Sequence, residues 1–198
     1  MNISKSFLEN LYIQQSLSSA QISEMLRCSE NKINYWMRKY QIPKRTISDA
    51  IYIKRNPNGD PFSFKKPSSF NEAFLFGLGL GLYWGEGTKS NKLSVRLGNT
   101  DPRLIIMFLE FLKKIYNINI AKLRFGLQVF NDMNPQRALA FWKKYLNMPA
   151  SQFHKLVVTP SRGVGTYRQK TKYGVLTVYY CNKKLRDHIC RSIEEICI

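Results

Sequence analysis

Between Phe70 and Thr88 the chain reads FNEAFLFGLGLGLYWGEGT. Gly77, Gly81 and Gly85 recur every four residues, and in a helix that spacing aligns them on one ridge. Gly79 adds a further glycine to the same segment. Inside a helix each glycine costs about 1 kcal/mol relative to alanine. Four of them cost on the order of 4 kcal/mol, against a total domain stability of about 5–15 kcal/mol. A helix can carry that load where a second helix approaches its backbone closely, as in pairs of small residues spaced by four. The spacing therefore predicts a helix–helix interface along Gly77, Gly81 and Gly85. A nucleotide-binding glycine loop does not fit, because Leu82 and Trp84 stand where its third glycine should be.

The apolar run ends in Gly85-Glu86-Gly87. Small neighbours let a metal or another backbone approach the carboxylate, and carboxylate oxygens suit hard Mg²⁺. The other reading is a solvated acid in the turn that closes the helix.

Charge limits the partners. The chain has 31 Lys+Arg against 13 Asp+Glu among 198 residues, a net charge of +18. Such a chain repels itself, and a polyanion relieves the repulsion. Nucleic acid is the first candidate, an anionic membrane surface the second, and a generally basic proteome the alternative to both. The longest apolar run, Phe74 to Trp84, is shorter than the roughly 20 residues of a membrane span. Met1 to Asn10 lacks the apolar stretch of a secretory leader. The expectation is an intracellular protein without a membrane partner, whether cytoplasmic, nucleoid-associated or organellar. Cys28, Cys181, Cys190 and Cys197 form no CxxC pair, and they read as reduced, mostly packed thiols.

Composition divides the chain into three parts: residues 1–53, a basic linker over 54–69 containing Pro57, Gly59, Pro61 and Pro67, and a larger domain over 70–198. In the first part Ser18 and Gln21 form a capping box for a short helix carrying Ile22, Met25 and Leu26. Ser29 caps the next helix, with Glu30 in its first turn. Ile33, Trp36, Met37 and Tyr40 share one face of that second helix. Asn31, Tyr35 and Arg38 lie opposite, flanked by Lys32 and Lys39. Two short helices with a tight turn are the geometry of a helix-turn-helix. The run LSSAQISEMLRCSENKINYWMRKYQI resembles the small helix-turn-helix domains of resolvases and sigma-like regulators. Asn31, Tyr35 and Arg38 suit base edges, and Lys32 and Lys39 suit phosphates.

In the larger domain Lys92–Leu97 alternates, with Leu93, Val95 and Leu97 inward and Lys92, Ser94 and Arg96 outward. Asp101 and Pro102 open a helix that reaches about Ile115. A second alternating strand has Leu123, Phe125, Leu127 and Val129 inward and Lys122, Arg124 and Gln128 outward. A helix over Pro135–Leu146, strands near 153–159 and 173–180, and a helix from Lys183 bearing Leu185, Ile189, Ile193 and Ile196 complete the order.

Gly79 to Gly87, GLGLYWGEG, resembles the nine-residue motif of LAGLIDADG homing endonucleases of the single-motif type. Gly81, Leu82 and Gly87 match it outright, Gly85 keeps the small residue before the acid, and Glu86 stands where the motif has its metal-binding acid. The resemblance covers roughly 70–198 and implies an α+β fold of order αββαβαββα with a saddle-shaped antiparallel sheet. The helix at 135–146 is an addition, and a short first strand falls near Thr88–Asn91. It further implies a homodimer that binds double-stranded DNA and cleaves phosphodiesters with Mg²⁺. Glu86 would be the metal ligand and catalytic acid, with Lys155 or Lys172 as the active-site lysine. Gly77, Gly81 and Gly85 would form the dimer interface, since the chain holds one motif and no internal repeat. Lys92, Arg96, Arg124 and Gln128 on the sheet face would contact DNA. So would Arg162, Arg168 and Lys170 in a basic hairpin loop over 161–172. Two other functions remain open: a non-cleaving transcriptional regulator, since a sporulation regulator family joins a degenerate LAGLIDADG domain to a helix-turn-helix, and an RNA maturase-like protein.

Overall fold

The computed structural model of the chain describes residues 2–154, 156–161 and 172–196. The chain divides into two compact units, Met1–Pro61 and Phe62–Ile198.

Unit 1 is all helical. Helix α1 (Lys5–Glu9) runs into a π-helical turn over Asn10–Gln14. Helices α2 (Ser19–Met25), α3 (Glu30–Lys39) and α4 (Ile47–Arg55) follow. The capping box of Ser18 and Gln21 is formed in both directions, and Ser29 caps α3. The core gathers Ile3, Leu8, Leu11, Tyr12, Ile22, Ile33, Met37 and Ile42, with Leu26, Trp36 and Tyr40 packed at its margin. Met25, expected with Ile22 on the apolar side, is exposed. The turn between α2 and α3 is made by Arg27, whose φ of 48° lies in the left-handed region. Arg45 holds the unit together. Its guanidinium donates to the carbonyl oxygens of Tyr12, Ser16 (3.0 Å) and Leu17 (3.2 Å) and stacks over the Tyr12 ring, 4.1 Å from its centroid.

Unit 2 is α+β. Its first residues come from the stretch read as linker. Ser63 N–H donates to Tyr116 O and Lys65 N–H to Ile115 O, while Phe62 and Phe64 lie against Tyr116. Helix α5 (Phe70–Glu86) is capped by Ser69 and α6 (Pro102–Lys114) by Asp101. Helix α7 spans Pro135–Leu146 and α8 spans Lys183–Ile196. Strands β1 (Val95–Asn99), β2 (Arg124–Phe130), β3 (Val157–Thr159) and β4 (Val175–Tyr180) form one sheet in the order β1-β4-β2-β3. Val95, Leu97, Phe125, Leu127, Val129, Leu176, Val178 and Tyr180 face inward, joining Ile105, Phe108, Phe111 and Leu112 of α6, Trp142 of α7 and Leu185 and Ile189 of α8. No helix among the described residues is long and apolar enough to cross a membrane.

Four sequence expectations are corrected. The sheet is mixed rather than antiparallel: β1–β4 and β2–β4 are antiparallel, but β2 and β3 run parallel. The cause is the added helix. Helix α7 carries the chain back between β2 and β3 and makes a β–α–β crossover, which returns the next strand in the same direction. For the same reason β3 and β4 are not a hairpin, since β2 lies between them. No strand forms over 88–91, where only Gly87 bridges Leu97 and Thr88 N–H donates to Arg96 O. Finally, β1 starts at Val95, not Lys92. The Asn91 side chain captures the N–H groups of Leu93 and Ser94 in a turn, leaving Leu93 67% exposed.

Candidate nucleic-acid interface

Three surfaces carry the residues singled out by sequence. The first is on α3. Asn31, Tyr35, Arg38 and Lys39 are exposed, and Lys32 is half-buried. The ring of Tyr35 meets Trp36 edge-on, and Lys39 Nζ stands 4.8 Å from the Trp36 ring centroid. The buried Ile33 and Met37 fix which face of the helix turns outward.

The second surface is the outer face of the sheet. Strand register aligns Arg96 with Tyr179 and Tyr179 with Arg124 in one rank. Strands lie about 4.8 Å apart, so the two arginine Cα atoms are roughly 10 Å apart with the tyrosine between them. The next rank is Gly98, Thr177 and Gly126, followed by Val175 and Gln128. The Tyr179 ring lies over Gly126, where an added Cβ would come within 2.9 Å of it. Its neighbours are the Arg96 guanidinium, 5.3 Å from the ring centroid, and the exposed His154, edge-on at 5.8 Å. Arg96 Nε–H donates to Ser94 Oγ at 2.8 Å, whereas Arg124 uses NH1 on the carbonyl oxygens of Ala121 and Leu123. Gln128 is exposed and donates weakly to Thr159 Oγ1 at 3.4 Å. Lys92 is exposed but sits in the turn before β1, off the sheet face.

Sequence reasoning missed Tyr179, Thr177 and Asn91, and it expected Ser94 to face outward, whereas Ser94 is buried with its hydroxyl bonded to Asn91. The signal for the first two was present: in 175–180 the inward Leu176, Val178 and Tyr180 alternate with outward Val175, Thr177 and Tyr179. The role of Asn91 and Ser94 is a side-chain relay with no period to reveal it.

The third surface is α5. Leu80 and Tyr83 are buried, and Tyr83 stacks on Phe108 with centroids 6.0 Å apart. Gly79 is the glycine that packs within the chain, since a Cβ there would meet the Phe111 ring at 2.1 Å. Gly77, Gly81 and Gly85 are exposed, with nothing within 4 Å of the Cβ positions. Phe70 (84% exposed), Phe74 (61%) and Trp84 (59%) share that stripe, because steps of 4, 7, 11, 14 and 15 residues from Phe70 all return close to one face of a helix.

Glu86 is exposed at the C-terminal end of this helix, one residue past Gly85 and turned about 100° from it. Gly87 leaves the helix with φ −76° and ψ 142°, and a Cβ there would meet Tyr83 O at 2.3 Å. The turn is braced: Lys89 Nζ donates to Trp84 O, and Arg186 donates to Lys89 O at 2.7 Å and to Asp187 Oδ1 at 3.1 Å. Burial pushes the Tyr83 phenol above its ordinary range, so it stays neutral.

Lys172 is exposed beside a cavity of about 400 Å³ that Asp132, Asn134, Arg137 and Tyr173 also line. Lys155, Arg162, Arg168 and Lys170 lie outside the described residues, as does Cys197. Cys28 and Cys190 are half-buried free thiols, while Cys181 is exposed. Among the described residues no three His, Cys, Asp or Glu side chains cluster as a metal site. Comparison of the chain with family models, curated proteins and solved structures returned no match.

Proposed function

We propose that this chain is a site-specific double-stranded DNA endonuclease of the single-motif LAGLIDADG type, working as a homodimer with Mg²⁺. The observation that carries this reading is the exposed ridge of α5. Phe70, Phe74, Gly77, Gly81, Trp84 and Gly85 make a continuous apolar stripe, open at the glycines, that stops one residue before Glu86. A second copy of the same ridge fits it: aromatic side chains of one helix fill the open glycine positions of the other. A parallel pairing of this kind sets the C-terminal ends of both α5 helices, each carrying Glu86, at one end of the interface. It also sets the two sheets side by side, since Gly87 at the end of α5 bridges Leu97 in edge strand β1. The outward Arg96, Arg124, Tyr179 and Gln128 then form one basic face for a duplex, and α3 adds a second contact in each copy.

The donor set fits Mg²⁺. Each copy offers one exposed carboxylate with glycine on both sides, and Mg²⁺ takes one or two carboxylates together with phosphate oxygens and water. Bound there, the ion supplies Lewis-acid polarisation of the scissile phosphate. Glu86 contributes the charge that holds it, and Arg186 braces the turn that follows Glu86 at the C-terminal end of α5.

One observation favours a second reading, a DNA-binding regulator that does not cleave. Arg96, whose carbonyl is bonded by Thr88 N–H two residues beyond Glu86, puts an arginine on the strand that borders the turn after the acid. Glu86→Gln separates the two. For the nuclease, the substitution leaves metal-free binding equal or tighter, because a carboxylate repels DNA, and abolishes Mg²⁺-dependent cleavage of the preferred site. Wild-type protein that leaves its own preferred site intact in Mg²⁺ and Mn²⁺ is the regulator. Loss of folding in Glu86→Gln makes the carboxylate structural and overturns its assignment.

A further inference from the structure

We infer that Arg96 is the base-reading residue of the sheet face and selects a guanine, with Asn91, Ser94 and Tyr179 as the residues that position its guanidinium. This rests on the DNA-binding reading of unit 2 and goes beyond it by naming the base and the device that reads it. Arg96 Nε–H donates to Ser94 Oγ at 2.8 Å, and Ser94 is 1% exposed. The Ser94 hydroxyl donates in turn to Asn91 Oδ1 at 3.0 Å, and that oxygen also accepts the N–H groups of Leu93 and Ser94. The serine proton is therefore committed to Asn91, and a lone pair is left for Arg96. On its other side the guanidinium carbon stands 5.3 Å from the Tyr179 ring centroid. The ring is itself settled over Gly126, with His154 at its edge.

A guanidinium held at Nε and by a ring keeps its two terminal amino groups, a pair whose geometry matches guanine O6 and N7. Held in place beforehand, it has little rotamer freedom left to lose on binding. Gly98, two residues along on the same face of β1, has no side chain to compete for the space. Arg124 shows the contrast within one rank. Its NH1 is bonded to Ala121 O and Leu123 O at 2.7 Å each, so it serves its own chain and offers charge. A phosphate contact needs charge alone, and nothing about it calls for a two-residue relay behind the arginine.

The test is selection of preferred sites from a randomised duplex pool by the full chain, its Arg96→Lys and Ser94→Ala variants, and an Arg38→Ala variant that removes a contact of unit 1. Folding of each is read by near-ultraviolet circular dichroism. The wild type should enrich a guanine at one fixed position of each half-site. Arg96→Lys keeps the charge but loses the fork, and discrimination of guanine from adenine at that position should fall about tenfold or more. Ser94→Ala should lower discrimination at the same position by a smaller factor and at no other. Arg38→Ala should change different positions. An Arg96→Lys profile identical to wild type, or an equal loss on every sequence, overturns the inference while leaving DNA binding by the sheet in place. A wild-type protein that enriches nothing overturns the DNA reading itself, and the inference with it.

Discussion

Helices α3 and α5 both turn a face outward, and the two faces are chemically opposite. On α3 the exposed stripe is Asn31, Tyr35, Arg38 and Lys39, over a core held by Ile33 and Met37. On α5 it is Phe70, Phe74, Trp84 and three glycines, with no charge until Glu86. A polar, cationic face is stable in water and gains from a polyanion, mostly by counterion release. An apolar face with open glycine positions gains from excluding water and from close backbone approach. The contrast separates two partners that net charge alone would merge: the first face suits DNA, the second a helix of the same kind.

The largest expected effect follows from that contrast. If about six or more phosphates are contacted, DNA affinity should fall roughly 10³-fold or more between about 50 and 200 mM salt. Self-association through α5 should change little over the same range. Salt titrations of duplex binding and of sedimentation, run side by side, check both. Salt-insensitive DNA binding would remove the basic faces from the account.

Within α5 the glycines themselves divide. Gly79→Ala forces a methyl against the Phe111 ring and should destabilise unit 2 by about 1–3 kcal/mol, as overpacking does. Gly77→Ala meets open space and should stabilise the isolated protomer by up to about 1 kcal/mol. Urea denaturation of the two variants gives the comparison. Equal destabilisation would mean that the ridge already has a partner within the chain.

On α3, Arg38→Ala should cost about 1–3 kcal/mol on the preferred site and less on random duplex, if its guanidinium reads a base. Equal losses in a binding assay on the two DNAs would make Arg38 a phosphate contact.

The smallest effect is on pH dependence. His188 sits against Phe64 and bonds the Tyr116 hydroxyl, and burial together with Arg191 holds its pKa below the ordinary 6.5. The unfolded chain takes up that proton first, so stability present above about pH 6.5 is lost as pH falls below it. Glu72 acts at lower pH in the same direction. The Lys65 ammonium and the Ser68 N–H and hydroxyl hold its carboxyl at about 2 against 4.5, so its contribution is complete above 4.5 and fades as pH falls toward 2. Urea midpoints at pH 7.5, 5.5 and 3.5 should decline in that order, and His188→Gln should flatten the first step.

The parts of the fold that were legible in the sequence are those governed by local rules. Ser18 with Gln21, Ser29, and Asp101 with Pro102 each announce a helix start, and each is one. Period-two alternation marked the inward residues of β2. What was hidden depends on partners far along the chain. Leu93 continues an alternating pattern, but the Asn91 side chain takes the backbone before a ladder can form. The parallel pairing of β2 with β3 follows from where α7 returns the chain, and no property of Val157–Thr159 records it. In the candidate site the types of residue were readable and their support was not. Arg96 was visible as an outward cation, whereas Ser94, Tyr179 and Gly126 around it become a unit only through register.

The central claim is that the open ridge of α5 is filled by a second copy, and one substitution tests it directly. Gly81→Leu places a large side chain where the protomer has open space, so within one chain it should be harmless and should even favour the helix by about 1 kcal/mol. Across a paired ridge it wedges two backbones apart. Sedimentation equilibrium at low micromolar concentration should show wild-type protein as a dimer and Gly81→Leu as a folded monomer. A monomeric wild type, or a Gly81→Leu variant that dimerises as well as wild type, would contradict the account.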